Sequence, residues 1–277
     1  MITKATALWF ALFQTLAAQA PGLTILSAGF QQFEDGPPIP GKAVFQAGES
    51  LFFSCQISGY KVGPKDMIGL EWTVEVLDER NVLLTKPESK KLETDVSPED
   101  KEWKPKIRFQ FETPAAAQCT ECVLKLKVSD KLSGATASID KTFAIESRKV
   151  EPSETLVVRN FRFLRGESDG APLPVAAYRS GDELWARFEI TGYRFGEGNQ
   201  VNVEYGLSVY RPSGKLLYQE LKAAKHEERT FYPKRYVEGI LNLKLQGLPA
   251  GEYPLVLEVR DEGGNQKYEA RFPFRVE

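Results

Sequence analysis

The sequence contains very few residues that could support metal binding or acid–base catalysis. Its 277 residues include one His and three Cys. His226 has no other His or Cys close to it in the sequence, which favours a surface histidine over a metal ligand or a catalytic base. The chain has too few soft ligands for most structural zinc sites and offers little basis for histidine catalysis. We therefore expect no metal, no cofactor and no catalytic residues.

Neither sign of charge dominates the composition, with 36 Lys and Arg against 38 Asp and Glu. Nucleic-acid binding needs a concentrated basic face, so no nucleic-acid partner is expected. The sequence has no calcium-loop pattern, no Gly-rich phosphate loop and no Gly-x-Ser-x-Gly elbow. Asp130 and Asp261 begin corresponding hairpins, which indicates a role in turns. These features favour binding over catalysis.

The N-terminus has the pattern of a targeting segment. Lys4 precedes a mostly apolar run over 5–16, and residues 18–20 form a small-x-small cleavage pattern. The run is shorter than the ~20 residues that span a bilayer. We interpret residues 1–20 as a secretory signal that is cleaved within 17–20. The mature protein is expected to have no transmembrane segment and to lie outside the cytoplasm, in the periplasm or the medium.

An internal repeat organises the rest of the chain. Residues 45–60 recur as 178–193 at a constant offset of 133, and residues 122–130 recur as 253–261 at an offset of 131. The repeat breaks in a short polar stretch that follows Ile145. The sequence therefore predicts a first domain over 21–147, a linker over 148–155 and a second domain over 156–277.

Each copy shows the alternation of β-strands. Apolar residues occupy every second position over 51–57, 184–190 and 122–128. No stretch has a sustained helical period, and the polar residues 220–228 are interpreted as a loop with a helical turn. The pattern predicts an all-β protein of two tandem antiparallel β-sandwiches related by duplication.

The segment 248–259, Leu-Pro-Ala-Gly-Glu-Tyr-Pro-Leu-Val-Leu-Glu-Val, resembles the approach to strand F in immunoglobulin-like and fibronectin type III-like modules. In those families a corner Tyr, here Tyr253, hydrogen-bonds back to the chain, and Trp72 and Tyr205 stand where strand C carries a core aromatic. The resemblance implies immunoglobulin-like sandwiches in an exported bacterial protein, with interaction roles and no particular reaction. Copy one departs from the pattern because Cys122 replaces the corner Tyr.

The cysteines leave three arrangements open. Cys119 and Cys122 could form a local structural disulfide, with Cys55 as a buried free thiol. The immunoglobulin-like resemblance places Cys55 and Cys122 inward on opposite sheets, so a bridge between these two is the second possibility. A thiol-disulfide function of Cys119 and Cys122 is the third, although the pair lies at a β-strand and lacks the usual helix N-terminus.

Three aromatic residues are candidates for binding. Phe52 and Trp185 occupy equivalent outward positions on the two copies, and Trp103 lies in the basic cluster 101–108. An exposed ring could stack on a sugar or anchor a protein contact. The alternative is that loops or the other module cover Phe52 and Trp185, and that Trp103 lies on a solvated strand edge. The stretch 222–235 is interpreted as a similar solvated edge.

The sequence therefore predicts a non-catalytic extracytoplasmic binding or scaffolding protein. We expect it to contact a protein partner through loops or strand edges held by rigid sheets. A carbohydrate-binding module that uses the three aromatics is the first alternative, with polysaccharide as the partner. A thiol-disulfide protein is the second alternative. The sequence leaves the oligomeric state open.

Overall fold

The computed structural model describes residues 22–100, 102–168 and 170–277, and the predicted signal peptide lies outside these ranges. The prediction of an all-β fold is confirmed. Within the described residues, helical structure is limited to two three-residue 3-10 turns, Pro64–Asp66 and Pro98–Asp100. No helix among these residues is long and apolar enough to cross a membrane.

The first half of the chain contains eight strands in two sheets. The strands are β1 Thr24–Gln31, β2 Ala43–Gln46, β3 Ser50–Ser58, β4 Met67–Leu77, β5 Glu88–Asp95, β6 Lys106–Glu112, β7 Cys119–Asp130 and β8 Thr136–Glu146. One sheet has the order β1-β3-β6 and the other the order β2-β8-β7-β4-β5. All pairs are antiparallel except β2 with β8.

The second half repeats this arrangement strand for strand. The strands are β9 Val157–Leu164, β10 Ala177–Tyr178, β11 Glu183–Thr191, β12 Gln200–Tyr210, β13 Leu216–Arg229, β14 Tyr236–Lys244, β15 Gly251–Asp261 and β16 Gln266–Val276. The sheets have the orders β14-β11-β9 and β10-β16-β15-β12-β13. This common order resembles the immunoglobulin-like arrangement, and it gives the duplicated sequence a duplicated fold.

Each half encloses its own core, formed by the inward residues of its two sheets. In the first half, Phe30, Phe45, Phe53 and Phe143 pack edge to face, with ring centroids 5.2 to 5.9 Å apart. This geometry is favourable for aromatic pairs because the positive edge of one ring meets the negative face of another. The alternating residues of β3 and β11 are buried as their period-two pattern predicts.

In the second half, a core tyrosine connects the two sheets. Tyr205 on β12 is buried, and its hydroxyl receives a hydrogen bond from the Ile240 amide at 3.1 Å. The equivalent Trp72 is only half-buried, although it packs against the core of the first half. The hydroxyl of Tyr205 thus gives β14 a polar contact across the sandwich.

The interpretation of residues 220–228 as a loop is wrong, because they belong to the 14-residue strand β13. β13 lies at the edge of its sheet, so much of its surface stays in water. Polar residues therefore occur on both of its faces. A bulge also interrupts its alternation. Tyr205 pairs with Ala224, but Leu207 pairs with Glu220, which leaves Gly206 opposite three residues.

Asp130 and Asp261 stabilise corresponding turns, as their repetition indicates. Asp130 is buried and accepts hydrogen bonds from the amides of Lys61 at 2.8 Å and Leu132 at 2.9 Å. Asp261 accepts equivalent bonds from the amides of Arg194 at 2.9 Å and Gly263 at 3.1 Å. Each carboxylate therefore joins the β-hairpin of its half to the loop beside it.

Candidate functional site

A tyrosine of the second half packs into the core of the first half. The β13–β14 connection, residues 230–235, reaches the first half, where the Tyr232 side chain packs into the core cluster and is only 3% exposed. Its hydroxyl donates a hydrogen bond of 3.0 Å to Oδ2 of Asp78. The sequence interpretation of 222–235 as a solvated edge is therefore wrong for Tyr232.

Asp78 is held in place by the turn that it begins. It follows β4 and is buried, and its Oδ1 accepts hydrogen bonds from the amides of Arg80 and Val82, both at 2.8 Å. Burial is the main cause that raises the pKa of Tyr232, and the Asp78 carboxylate adds to it. The phenol therefore stays protonated and can remain the donor in this contact.

A charged contact joins the start of the linker to the second half. Arg148 Nη1 lies 2.8 Å from Glu189 Oε1 on β11 and 3.0 Å from Glu238 Oε1 on β14. The Glu189 side chain is fully buried and is paired a second time, with Arg162 at 3.2 Å. Both arginines pair with Oε1 and offset part of the cost of removing this carboxylate from water, so Arg148 restrains the chain just after β8.

A groove of about 510 Å³ lies beside Tyr232 at the junction. Leu84, Pro114 and Ala115 line it from the first half, and Phe231 lines it from the second. The Phe231 ring is 46% exposed. Four charged residues surround these apolar groups, namely Lys86, Glu112, Glu228 and Lys234.

A second cavity, of about 330 Å³, lies on the linker side of the junction and is more polar. Its lining includes Arg80, Arg148 and Arg235 together with Glu79. Glu79 accepts hydrogen bonds from the amide and hydroxyl of Thr120, at 3.2 and 3.1 Å. Arg148 is already paired with two carboxylates, so it is not free to bind an anionic ligand in this cavity. We therefore interpret the cavity as a water-filled space between the halves.

The structure pairs Cys119 with Cys122 as a disulfide and leaves Cys55 as a buried free thiol. The alternative bridge from Cys55 to Cys122 is therefore not formed. Burial raises the pKa of Cys55 to about 12, so this thiol is unreactive at neutral pH. Cys119 and Cys122 are at most 1% exposed, which leaves little access for a thiol-disulfide substrate.

The three predicted binding aromatics lie apart from the junction. Phe52 and Trp185 are half-buried on the outer faces of the three-stranded sheets, and Trp185 pairs in register with Leu164 and Asn242. Trp103 is 40% exposed and precedes β6. Neighbouring residues thus cover Phe52 and Trp185 only in part, and each side chain keeps some exposed surface.

Sequence reasoning did not select Phe231 and Tyr232 as site residues. Both follow the bulged edge strand β13, whose polar pattern gave no sign that the next residues pack against another domain. A Tyr and a Phe side by side in a polar stretch was the only local signal.

Among residues 22–100, 102–168 and 170–277, no group of three His, Cys, Asp or Glu side chains is placed to hold a metal ion. No known family model matches the chain, and no curated protein matches it in sequence. The functional argument therefore depends on the geometry of the junction.

Proposed function

We propose that this chain is a non-catalytic extracytoplasmic binding protein that receives an apolar segment of a protein partner in the groove between its halves. The observation that carries the proposal is the exposed Phe231 ring in a groove of about 510 Å³. An apolar centre with a charged rim is the composition of protein interfaces.

The junction gives the groove a fixed shape. Tyr232 and Asp78 anchor one wall to the other, and Arg148 restrains the linker nearby. A preformed groove loses less conformational entropy on binding than a flexible one, which favours affinity. Aromatic residues at the centre of an interface commonly carry much of the binding energy, and Phe231 has this position.

The proposal is tested with the immobilised mature chain and an envelope extract of the native organism. Phe231→Ala should abolish retention of a specific partner, because truncation of a central aromatic typically weakens binding by about 2 kcal/mol or more, roughly 30-fold. Phe33→Ala is the matched control, since Phe33 is an exposed Phe outside the groove. Mass spectrometry identifies the retained protein, and titration of that purified protein measures Kd.

Equal retention by Phe231→Ala and the unaltered chain would contradict the proposal. Equal loss in Phe33→Ala would show that the effect is not specific to the groove.

A carbohydrate-binding role is the second candidate, and the surroundings of Trp185 favour it over the other aromatics. Trp185 shares the outer sheet face with Arg187 on the same strand and with Asn242 on β14. Arg and Asn can bond sugar hydroxyls beside a stacking ring. Retained polysaccharide that is lost in Trp185→Ala but kept in Phe231→Ala would favour this candidate.

A further inference from the structure

The junction consists of a socket on the first half and a plug on the second. We define the first socket as the β4–β5 turn 78–84 with the β6–β7 turn 113–117, and the second plug as residues 230–235. Tyr232 of the plug inserts beside Leu84 of the socket. This joint shows how one module of the duplicated fold receives the next.

The second half carries an equivalent socket at its far end. The β12–β13 turn is bonded like the β4–β5 turn, with the Arg211 amide donating to Lys215 O at 2.8 Å as the Asp78 amide donates to Val82 O at 2.9 Å. Leu217 stands where Leu84 stands in the first socket, 133 residues earlier. We define the second socket as residues 209–218 with the β14–β15 turn 245–248.

The second socket contains a cavity of about 420 Å³. Leu217, Tyr218 and Leu248 contribute its apolar lining. Tyr218 is 41% exposed, and the neighbouring Leu216 is 45% exposed. No described residue of this chain fills it as Tyr232 fills the first socket.

The first half carries an equivalent plug at its own free end. Leu51 and Leu184 are equivalent in the two copies, and they pair with Phe111 on β6 and Leu243 on β14. Equivalent residues of β6 and β14 are therefore 132 positions apart. This offset places Trp103 at the position of Arg235. Trp103 is exposed, and its backbone is fixed by the Tyr60 hydroxyl, which donates to Trp103 O at 2.5 Å. We define residues 102–105 with Asp100 as the first plug.

Apolar residues surround this plug. Val62, Met67 and Leu132 are 45%, 39% and 40% exposed; Val62 lies in the β3–β4 connection, Met67 begins β4, and Leu132 lies in the β7–β8 connection at the same end of the first half. Gly63 lies against Leu132, which brings the two connections together. An exposed apolar end on a folded domain indicates a surface that another protein covers.

Residues of opposite charge stand at the two positions that correspond to Tyr232 and Asp78. Arg211 replaces Asp78 in the second socket, and Lys244 and Glu220 both line its cavity. In the first plug, Asp100 stands at the position of Tyr232, and the exposed Glu102 and Lys104 flank Trp103. The pair that corresponds to Tyr232 and Asp78 is therefore Asp100 and Arg211, whose charges attract each other.

We propose that a second copy of this chain inserts its first plug into the second socket, so that Asp100 faces Arg211 as Tyr232 faces Asp78, and the Trp103 ring, three residues further on, covers the cavity of Leu217, Tyr218 and Leu248. The contact joins unlike surfaces, so it is head to tail and leaves one plug and one socket free at the ends of each dimer. Repetition of such a contact produces a ring or an open filament. The groove at Phe231 stays accessible, so this proposal is independent of the proposed function.

Sedimentation velocity of the mature chain at concentrations up to about 1 mM tests the proposal, because this range detects even weak association. The unaltered chain should show a mass that rises with concentration beyond a dimer. Trp103→Lys, which blocks the plug, and Tyr218→Asp, which blocks the socket, should each stay monomeric. An equimolar mixture of the two should form dimers and nothing larger, because only one intact plug and one intact socket remain.

Phe33→Lys is the control, since it places the same charge on an exposed aromatic outside both ends and should assemble like the unaltered chain. Circular dichroism confirms that each variant is folded.

A second pair of variants changes exposed charges alone. Asp100→Lys and Arg211→Glu should each weaken assembly at least 10-fold, and the double variant should restore it. A monomeric unaltered chain at every concentration, or a mixture without dimers, would overturn the proposal.

Discussion

At the residue scale, buried carboxylates accept hydrogen bonds that hold turns of this protein in place. Asp130 is 1% exposed, and its carboxylate is bonded to the Lys61 and Leu132 amides and to the Ser133 hydroxyl. Burial alone would raise the pKa of Asp130, but these hydrogen bonds outweigh it and lower the pKa below its ordinary value. The ionised form is therefore the one that stabilises the fold.

This pKa shift predicts an acid-dependent contribution to stability. A lowered folded-state pKa means that Asp130 stabilises the protein above its unfolded pKa of about 3.9, and that this contribution disappears as the pH falls through the lower folded-state value. Asp130→Asn should reduce the free energy of unfolding by about 1 to 2 kcal/mol at pH 7 and by less at pH 3. Urea unfolding at both pH values measures this difference.

Asp140→Asn is the control for this prediction, because Asp140 is exposed on β8. It should change stability by less than about 0.5 kcal/mol at either pH. If Asp130→Asn lowered the free energy of unfolding equally at pH 7 and pH 3, the charge of Asp130 would have no role in stability.

At the element scale, the two halves fix the same corner by different means. Tyr253 at the start of β15 donates a hydrogen bond of 2.8 Å to Pro249 O, as the resemblance to immunoglobulin-like modules implies. In the first half, the Cys119–Cys122 disulfide occupies the equivalent corner of β7. A short covalent link thus stands where the second half has a hydrogen bond.

The disulfide encloses only a short loop, so its removal should have a limited effect. Cys119→Ala with Cys122→Ala should destabilise the first half by at most roughly 2 kcal/mol in the chain-entropy model. Tyr253→Phe should destabilise the second half by about 1 kcal/mol. The fluorescence of Trp72 and of Trp185, each measured with the other tryptophans of the mature chain replaced by Phe, follows the two halves during urea unfolding.

Each change should affect mainly its own half. A larger shift of the Trp185 transition than of the Trp72 transition in the cysteine variant would contradict this assignment.

At the scale of the whole molecule, Tyr232 couples two separate cores. It belongs to the second half by sequence and to the core of the first half by packing. Without its hydroxyl, Oδ2 of the buried Asp78 would lose its bond to the second half. Arg80 Nε, 3.9 Å from Oδ2, would remain its only charged neighbour among the ion pairs of the described residues. Loss of a hydrogen bond to a buried carboxylate destabilises a fold by about 1 to 3 kcal/mol.

Tyr232→Phe should therefore lower the free energy of unfolding by about 1 to 3 kcal/mol and separate the transitions of the two halves. Tyr236→Phe is the matched control from the same segment, since no described residue bonds the Tyr236 hydroxyl. Urea unfolding with the two tryptophan reporters measures both quantities. Coincident transitions in Tyr232→Phe would show that other contacts couple the halves.

The class of fold and its duplication follow from local sequence patterns. Alternation along β3, β7 and β11 depends only on the two faces of each strand, so a local pattern reveals it. The offset between the copies then predicted two similar halves, and the repeated Asp130 and Asp261 predicted the turns. The sequence did not predict β13, because a bulge and an edge position remove the alternation that identifies a strand.

How the halves meet and which cysteines pair depend on contacts between distant parts of the chain. The position of Tyr232 depends on the end of one sandwich that approaches the other, and no periodicity within a segment encodes that approach. The partner of Cys122 depends on distances between Cys55, Cys119 and Cys122, which the chain acquires only when both sheets close. Contacts between residues far apart in sequence need the complete packing arrangement, and the junction consists of such contacts.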